Sequence, residues 1–394
     1  MFKKVHFIRF FSIFILLIQN DQIIAQKKEL EKDKKVNLYV SMDNMRRNLE
    51  NIFPYLFSEQ DFKDQKNSKF ILENLLAVAK GARSAENHAR LKENIAAKIN
   101  ISILVDNLKR AEYSFKNNRK SSARYVLKSA IQSCIACHTA PSGSKNYLFK
   151  NDEKMFSKLT ENEKIDYLYT TRQFTEAEKI LIKRIDDFEK NNIPWVDMQK
   201  TLNYLAIYLV RVNPSAERGY EVFSKLANSM KVPKEGQQEI SEWANSFKQW
   251  NLESKNHNSL SSKNLFTRID SEIGLEPDES SLAYDPAFTI NRMRYFSLIY
   301  SQLENKQVKS KETEAKSLYY LGIINNALEP FATLNIGDAY LKACVVVSPK
   351  SMEAKHCFHA FEESLKLQNS GSGGVFLLPE DLKELQYYKN LSGS

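Results

Sequence analysis

Ser133-Cys134-Ile135-Ala136-Cys137-His138 is the stretch of this chain whose residue types and spacing define a chemistry. It contains C-x-x-C-H, the attachment sequence of c-type haem. Two thiols three residues apart can each form a thioether to one of the two haem vinyl groups. The imidazole that follows directly reaches the iron from the same side. Other uses of a C-x-x-C pair need a context that is missing here. A redox dithiol wants a βαβ setting, and no alternating strand pattern occurs; a zinc site wants a second ligand pair at suitable spacing. One covalent haem c is the expected cofactor, with Cys134, Cys137 and His138 as its attachment and ligand residues.

Four helical stretches must position that motif. Leu38, Met42, Met45, Leu49, Ile52 and Phe53 recur at steps of three and four, the period of one helix face. Pro54 is expected to end or kink this first helix. Ile71, Leu72, Leu75, Leu76, Val78 and Ala79 make a second, expected to end at Gly81. A third runs from about Ile101 to Phe115. A fourth, started by Ser121 or Ser122, reaches Cys134 and stops at the turn Ala140-Pro-Ser-Gly-Ser144. Short connections make residues 37–145 an up-down-up-down four-helix bundle, expected to hold its haem without help from the rest of the chain.

With C-x-x-C-H at the end of the fourth helix and Met near the start of the first, residues 37–140 resemble the cytochrome c′ superfamily of four-helix haem bundles. The resemblance implies that Cys134 and Cys137 hold the haem and that His138 is the proximal ligand. In such a bundle the C-terminal end of helix four lies level with the N-terminal end of helix one, where Met42 and Met45 sit on the apolar face. His/Met coordination gives a low-spin iron of raised potential suited to electron transfer. Met42, nearer the helix start, is the preferred sixth ligand; Met45, or neither, stays open, with gap-filling core as the other role for a Met on that stripe. Superfamily members without a sixth ligand are five-coordinate and bind small gases.

Beyond Leu159 the pattern is paired amphipathic helices: hairpins over 159–250, a linker or loop over 251–283 containing His257, and further hairpins with a short tail over 284–394. Ala177, Ala216, Ala315 and Ala339 at packing positions, with Pro214 and Pro349 between helices, loosely resemble tetratricopeptide-like repeats, though the consensus is poorly kept. The fold class is thus all-α: a four-helix haem bundle followed by a tetratricopeptide-like helical-repeat domain. Cys344 and Cys357 flank the turn Ser348-Pro349-Lys350-Ser351 and are expected to form a disulfide if their Cα atoms come within ~7 Å. His356-Cys357-Phe358-His359 points in several directions on a helix and is a poor metal site. His88, between helices two and three, is expected to face solvent, and Tyr319, Tyr320, Tyr387 and Tyr388 to pack the repeats.

The first residues carry a basic head, Lys3, Lys4 and Arg9, then the apolar run Phe10 to Ile18, ending near Ala25. That is the layout of a signal peptide, residues 1–25, followed by a charged spacer, 26–36. Cleavage leaves a periplasmic protein with no stable membrane span; an uncleaved N-terminus would leave it membrane-anchored. The 394 residues include 42% apolar and 27% charged, only 11 Gly, 10 Pro and 4 Cys, which excludes a disordered, collagen-like or cystine-rich chain. The formal charge of +9 is spread through Lys/Asp/Glu mixtures, so nucleic acid is not expected as a partner. The expected function is an exported mono-haem electron carrier, not an enzyme, whose repeats dock a periplasmic redox or envelope protein. The alternatives are a five-coordinate gas-binding or sensing protein and a structural envelope adaptor with an accessory haem.

Overall fold

The computed structural model describes residues 38–140 apart from 89, 90 and 92, residues 146 and 151, residues 153–255 apart from 192, and residues 262–273, 284–328 and 336–394. The expected export signal, the charged spacer and His257 lie outside these residues. The described chain is all-α, with two strands of two residues each, Ser370–Gly371 and Gly374–Val375.

Helix α1, Leu38–Phe57, turns Met45, Leu49, Ile52, Phe53 and Leu56 inward, the stripe of a helix with one buried face. Pro54, expected to end or kink the helix, sits inside it and does not end it. Proline removes one backbone donor, but the last turn is held from outside: Arg124 donates from Nε to Leu56 O at 2.7 Å and from Nη2 to Phe57 O at 3.2 Å. A short helix α2, Glu59–Lys63, leads into α3, Gln65–Glu86. Gly81 is likewise inside a helix and not at its end. A Cβ there would fall 2.5 Å from Met45 Cγ and 3.3 Å from Ser41 O, so its glycine serves close approach of α1 and α3.

Helix α4, Ile95–Lys116, begins at Asn94, whose Oδ1 accepts from Ala97 N at 3.1 Å; such a cap satisfies a donor the helix cannot. Asn118, at φ +58°, reverses the chain. Helix α5, Lys120–His138, then carries the cysteines. In packing, α1 lies on α3, α3 on α4 and α4 on α5, while α5 returns to touch α1.

The rest of the chain is α6 (Glu153–Phe156), α7 (Glu161–Thr170), α8 (Phe174–Asn191), α9 (Trp195–Ile207) continuing as a π-helical turn over Tyr208–Val212, α10 (Ala216–Ala227), α11 (Lys234–Lys255), α12 (Ser262–Ile273), α13 (Pro286–Glu304), α14 (Lys311–Ala327), α15 (Ile336–Val347), α16 (Met352–Gln368) and α17 (Pro379–Ser392). Neighbours pack as α7 with α8, α8 with α9, α10 with α11, α13 with α14, α14 with α15 and α15 with α16. One expectation is corrected here. The stretch 251–283 is not all linker: α11 runs on to Lys255, and α12 buries Leu265 and Ile269, four residues apart on one face. In the tail the two strands form an antiparallel hairpin and α17 docks on α16, with Tyr388 against Phe361.

The two parts of the chain share an interface. Helix α7 packs on α5, while α13 and α15 pack on α4, and Tyr340 Oη donates to Asn100 Oδ1 at 3.4 Å. Buried apolar side chains from Met45 to Leu385 form one cluster. Among the described residues no helix is long and apolar enough to cross a membrane.

Candidate functional site

Where α1 and α4 begin and α3 and α5 end, the helices leave a cavity of about 500 Å³. Cys134, Cys137 and His138 line it from α5, at i, i+3 and i+4, positions that a helix places on one side. Met42 and Met45 line it from α1, and Leu104, Leu127 and Ile131 add apolar wall. All five residues singled out around the C-x-x-C-H motif are therefore brought to one cavity.

His138 Nδ1 lies 2.6 Å from the carbonyl oxygen of Thr170. A carbonyl only accepts, so Nδ1 carries the proton and Nε2 keeps its lone pair, the form of imidazole that ligates metals. Burial, aided by the Arg172 cation and opposed by the Thr170 bond, pushes the His138 pKa down to about 3. The ring is neutral at physiological pH. Burial pushes Cys134 up to about 12, with Cys137 adding to the shift. Cys137 is raised as well, mainly by burial, against the pull of Arg172 and Arg211. These are protonated, inert thiols; a redox dithiol of the thioredoxin kind needs a lowered pKa.

The two methionines differ. Met45 is buried and folds its side chain over Gly81, where it fills the α1–α3 contact. Met42 is half-buried at the cavity wall, so its thioether is the less committed of the two. His88 was expected to face solvent; it is half-buried and lines the same cavity, because the end of α3 comes level with the start of α1.

Residues beyond 145 close the cavity. Thr170, Thr171 and Arg172 follow from the end of α7, and Tyr300 and Glu304 from the end of α13. The expectation that residues 37–145 enclose the site unaided is corrected accordingly. A third approach comes from the π-helical turn, where Asn213 N reaches Tyr208 O at 2.8 Å. Arg211, within that turn, donates from Nη2 to Ala136 O at 3.2 Å, inside the C-x-x-C-H motif, and lies 5.0 Å over the Phe296 ring. Its guanidinium is lowered to about 10, chiefly by burial, and stays charged. None of these later residues carries a motif that sequence reading could use; their partners lie 32 or more positions away in the chain.

Among the described residues no group of three or more His, Cys, Asp and Glu side chains could hold a bare metal ion. His359 Nδ1 is 3.9 Å from Glu362, His356 stands beside the Tyr319 ring, and Cys357 is bonded to Cys344 with Cα atoms 6.2 Å apart. That disulfide ties α15 to α16.

The donor set suits a covalent haem. Two thiols and a neutral imidazole with a free Nε2 share one largely apolar wall, and the volume falls within the ~300–1,000 Å³ of cofactor sites. Compared with family models, with curated proteins and with solved structures, the chain matches none.

Proposed function

We propose that this chain is an exported mono-haem c-type cytochrome that carries electrons. In this reading residues 37–145 are a four-helix haem bundle, and the helical hairpins that follow are a tetratricopeptide-like domain that docks a periplasmic redox or envelope partner. The observation that carries it is the meeting of Cys134, Cys137 and His138 on one cavity wall, with His138 already held as the Nδ1–H tautomer. When bound, haem would supply one-electron chemistry at its iron.

The chain's own residues supply the rest. Cys134 and Cys137 would anchor through thioethers, His138 would ligate through Nε2, and Met42 is the proposed sixth ligand. Leu104, Leu127 and Ile131 give the site an apolar wall, which would favour a raised potential by disfavouring net charge on the iron. The Cys344–Cys357 disulfide supports placement in an oxidising compartment.

The test uses full-length protein made with a functioning cytochrome c maturation system. Haem retained through denaturing electrophoresis and stained by its peroxidase activity supports the reading; an unstained band overturns it. Ferric and ferrous absorption spectra then separate the roles. A low-spin spectrum in both states fits an electron carrier, whereas a high-spin ferrous spectrum that shifts under carbon monoxide transfers the site to five-coordinate gas binding.

A further inference from the structure

The last four carbonyls of an α-helix have no intrahelical donor. At the end of α7 the chain's own turn takes three. Thr171 N donates to Tyr167 O at 2.9 Å, Gln173 N to Leu168 O at 2.7 Å and Arg172 N to Tyr169 O at 3.3 Å. This closure puts Arg172 at φ +61°, the left-handed conformation where glycine or asparagine is more usual. Thr170's carbonyl is the one left over, and it accepts from His138 Nδ1. The left-handed residue also places Arg172 on the cavity wall.

We propose that the C-terminal cap of α7 sets the reduction potential of the site, Thr170 by fixing and polarising the His138 ring and Arg172 by holding a positive charge beside it. This rests on the haem reading above. When bound, the haem would supply a one-electron couple filled by a partner protein, with no bond made or broken, and the two residues would set its poise. The two residues pull oppositely. A carbonyl accepting from Nδ1–H makes Nε2 a stronger donor, which favours the ferric state. A half-buried cation on the cavity wall, even with Glu304 lining the same cavity, disfavours the extra positive charge of ferric iron, so its removal shifts the balance away from the ferrous state. Arg172 is a positioning and charge-supplying residue, not a ligand. Packing of α7 on α5 thereby makes the later part of the chain a determinant of potential as well as a docking arm.

The experiment compares full-length haem-loaded protein with Arg172→Gly, Arg172→Asn and Arg172→Lys. Glycine and asparagine accept a positive φ and keep the turn while removing the charge; lysine keeps the charge. Spectroelectrochemical titration is expected to show the reduction equilibrium falling about tenfold in both charge-free variants, ~59 mV for one electron, with most of the loss restored in Arg172→Lys. In haem-free protein labelled with ¹⁵N-histidine, His138 is expected as the Nδ1–H tautomer in wild type and Arg172→Gly alike. Covalent haem with an unchanged midpoint in both charge-free variants overturns the role of Arg172. An Nε2–H tautomer for His138 overturns the role of Thr170. Absence of covalent haem on the stained gel removes the haem reading itself, a result visible before any titration.

Discussion

A neutral imidazole and two protonated thiols on one cavity wall are unreactive as they stand, and their pKa shifts have one main cause, burial. Their arrangement therefore matters through what they can bind. Met42→Leu keeps apolar volume and removes only the thioether, so stability is expected to change by less than ~1.5 kcal/mol, while the iron of the loaded protein becomes high-spin. Met45→Leu is expected to leave the spectrum low-spin, since Met45 is engaged on Gly81. An unchanged low-spin spectrum in Met42→Leu would direct attention to His88, the other histidine at the cavity. Gly81→Ala places a methyl 2.5 Å from Met45 Cγ and 3.3 Å from a backbone oxygen, and overpacking of that kind costs ~1–3 kcal/mol. Thermal unfolding of the variant against wild type checks this.

Elements hold the site through their ends. Asn94 caps α4 by accepting from the cavity-lining Ala97, the α7 turn offers Thr170 O to His138, and the π-helical turn after α9 aims Arg211 at Ala136. π-helical turns recur at functional sites because the extra residue redirects a side chain that an α-helix would place elsewhere. Cys344 and Cys357 are fully buried between α15 and α16, with a sequence separation of 13. Closing a loop of this size is expected to contribute ~2–3 kcal/mol on the chain-entropy model. Replacing both cysteines with alanine is thus expected to lower the unfolding temperature. Mass spectrometry of native protein alkylated without reduction is expected to find neither cysteine modified, and alkylation at both would rule the bond out.

At the scale of the molecule the buried apolar residues are one cluster, with α7 on α5 and both α13 and α15 on α4. A continuous core predicts one cooperative transition, so helix content followed by circular dichroism and haem absorbance in the loaded protein are expected to melt together. Two separated transitions would mean that residues before 145 keep a core of their own. For the same reason residues 27–145 expressed alone, lacking Thr170, Arg172, Tyr300 and Glu304 at the cavity, are expected to differ from the full chain in potential.

The C-x-x-C-H motif, the helical periods of α1 and of α3 to α5, and the Cys344/Cys357 hairpin were legible in the sequence because each rests on spacing within one segment, where chain geometry alone places the side chains. That the chain is all-α follows from the same local periods. A helix end was misread where a local rule met a tertiary contact: Gly81 stays helical where Met45 packs on it, while beyond Pro54 the helix runs on to Phe57 with Arg124 holding its last carbonyls. The helix α12 was read as linker although Leu265, Ile269 and Ile273 recur at steps of four, because the Asn/Ser-rich run before it was extended over that period. The walls of the cavity beyond residue 145 were out of reach entirely. Whether Thr170 O meets His138 or water, and whether Arg211 lies at Ala136 or on the surface, depends on how α7 and the π-helical turn pack against α5. That packing is decided by the sum of many weak apolar contacts between distant segments, and only the tertiary structure carries out that sum.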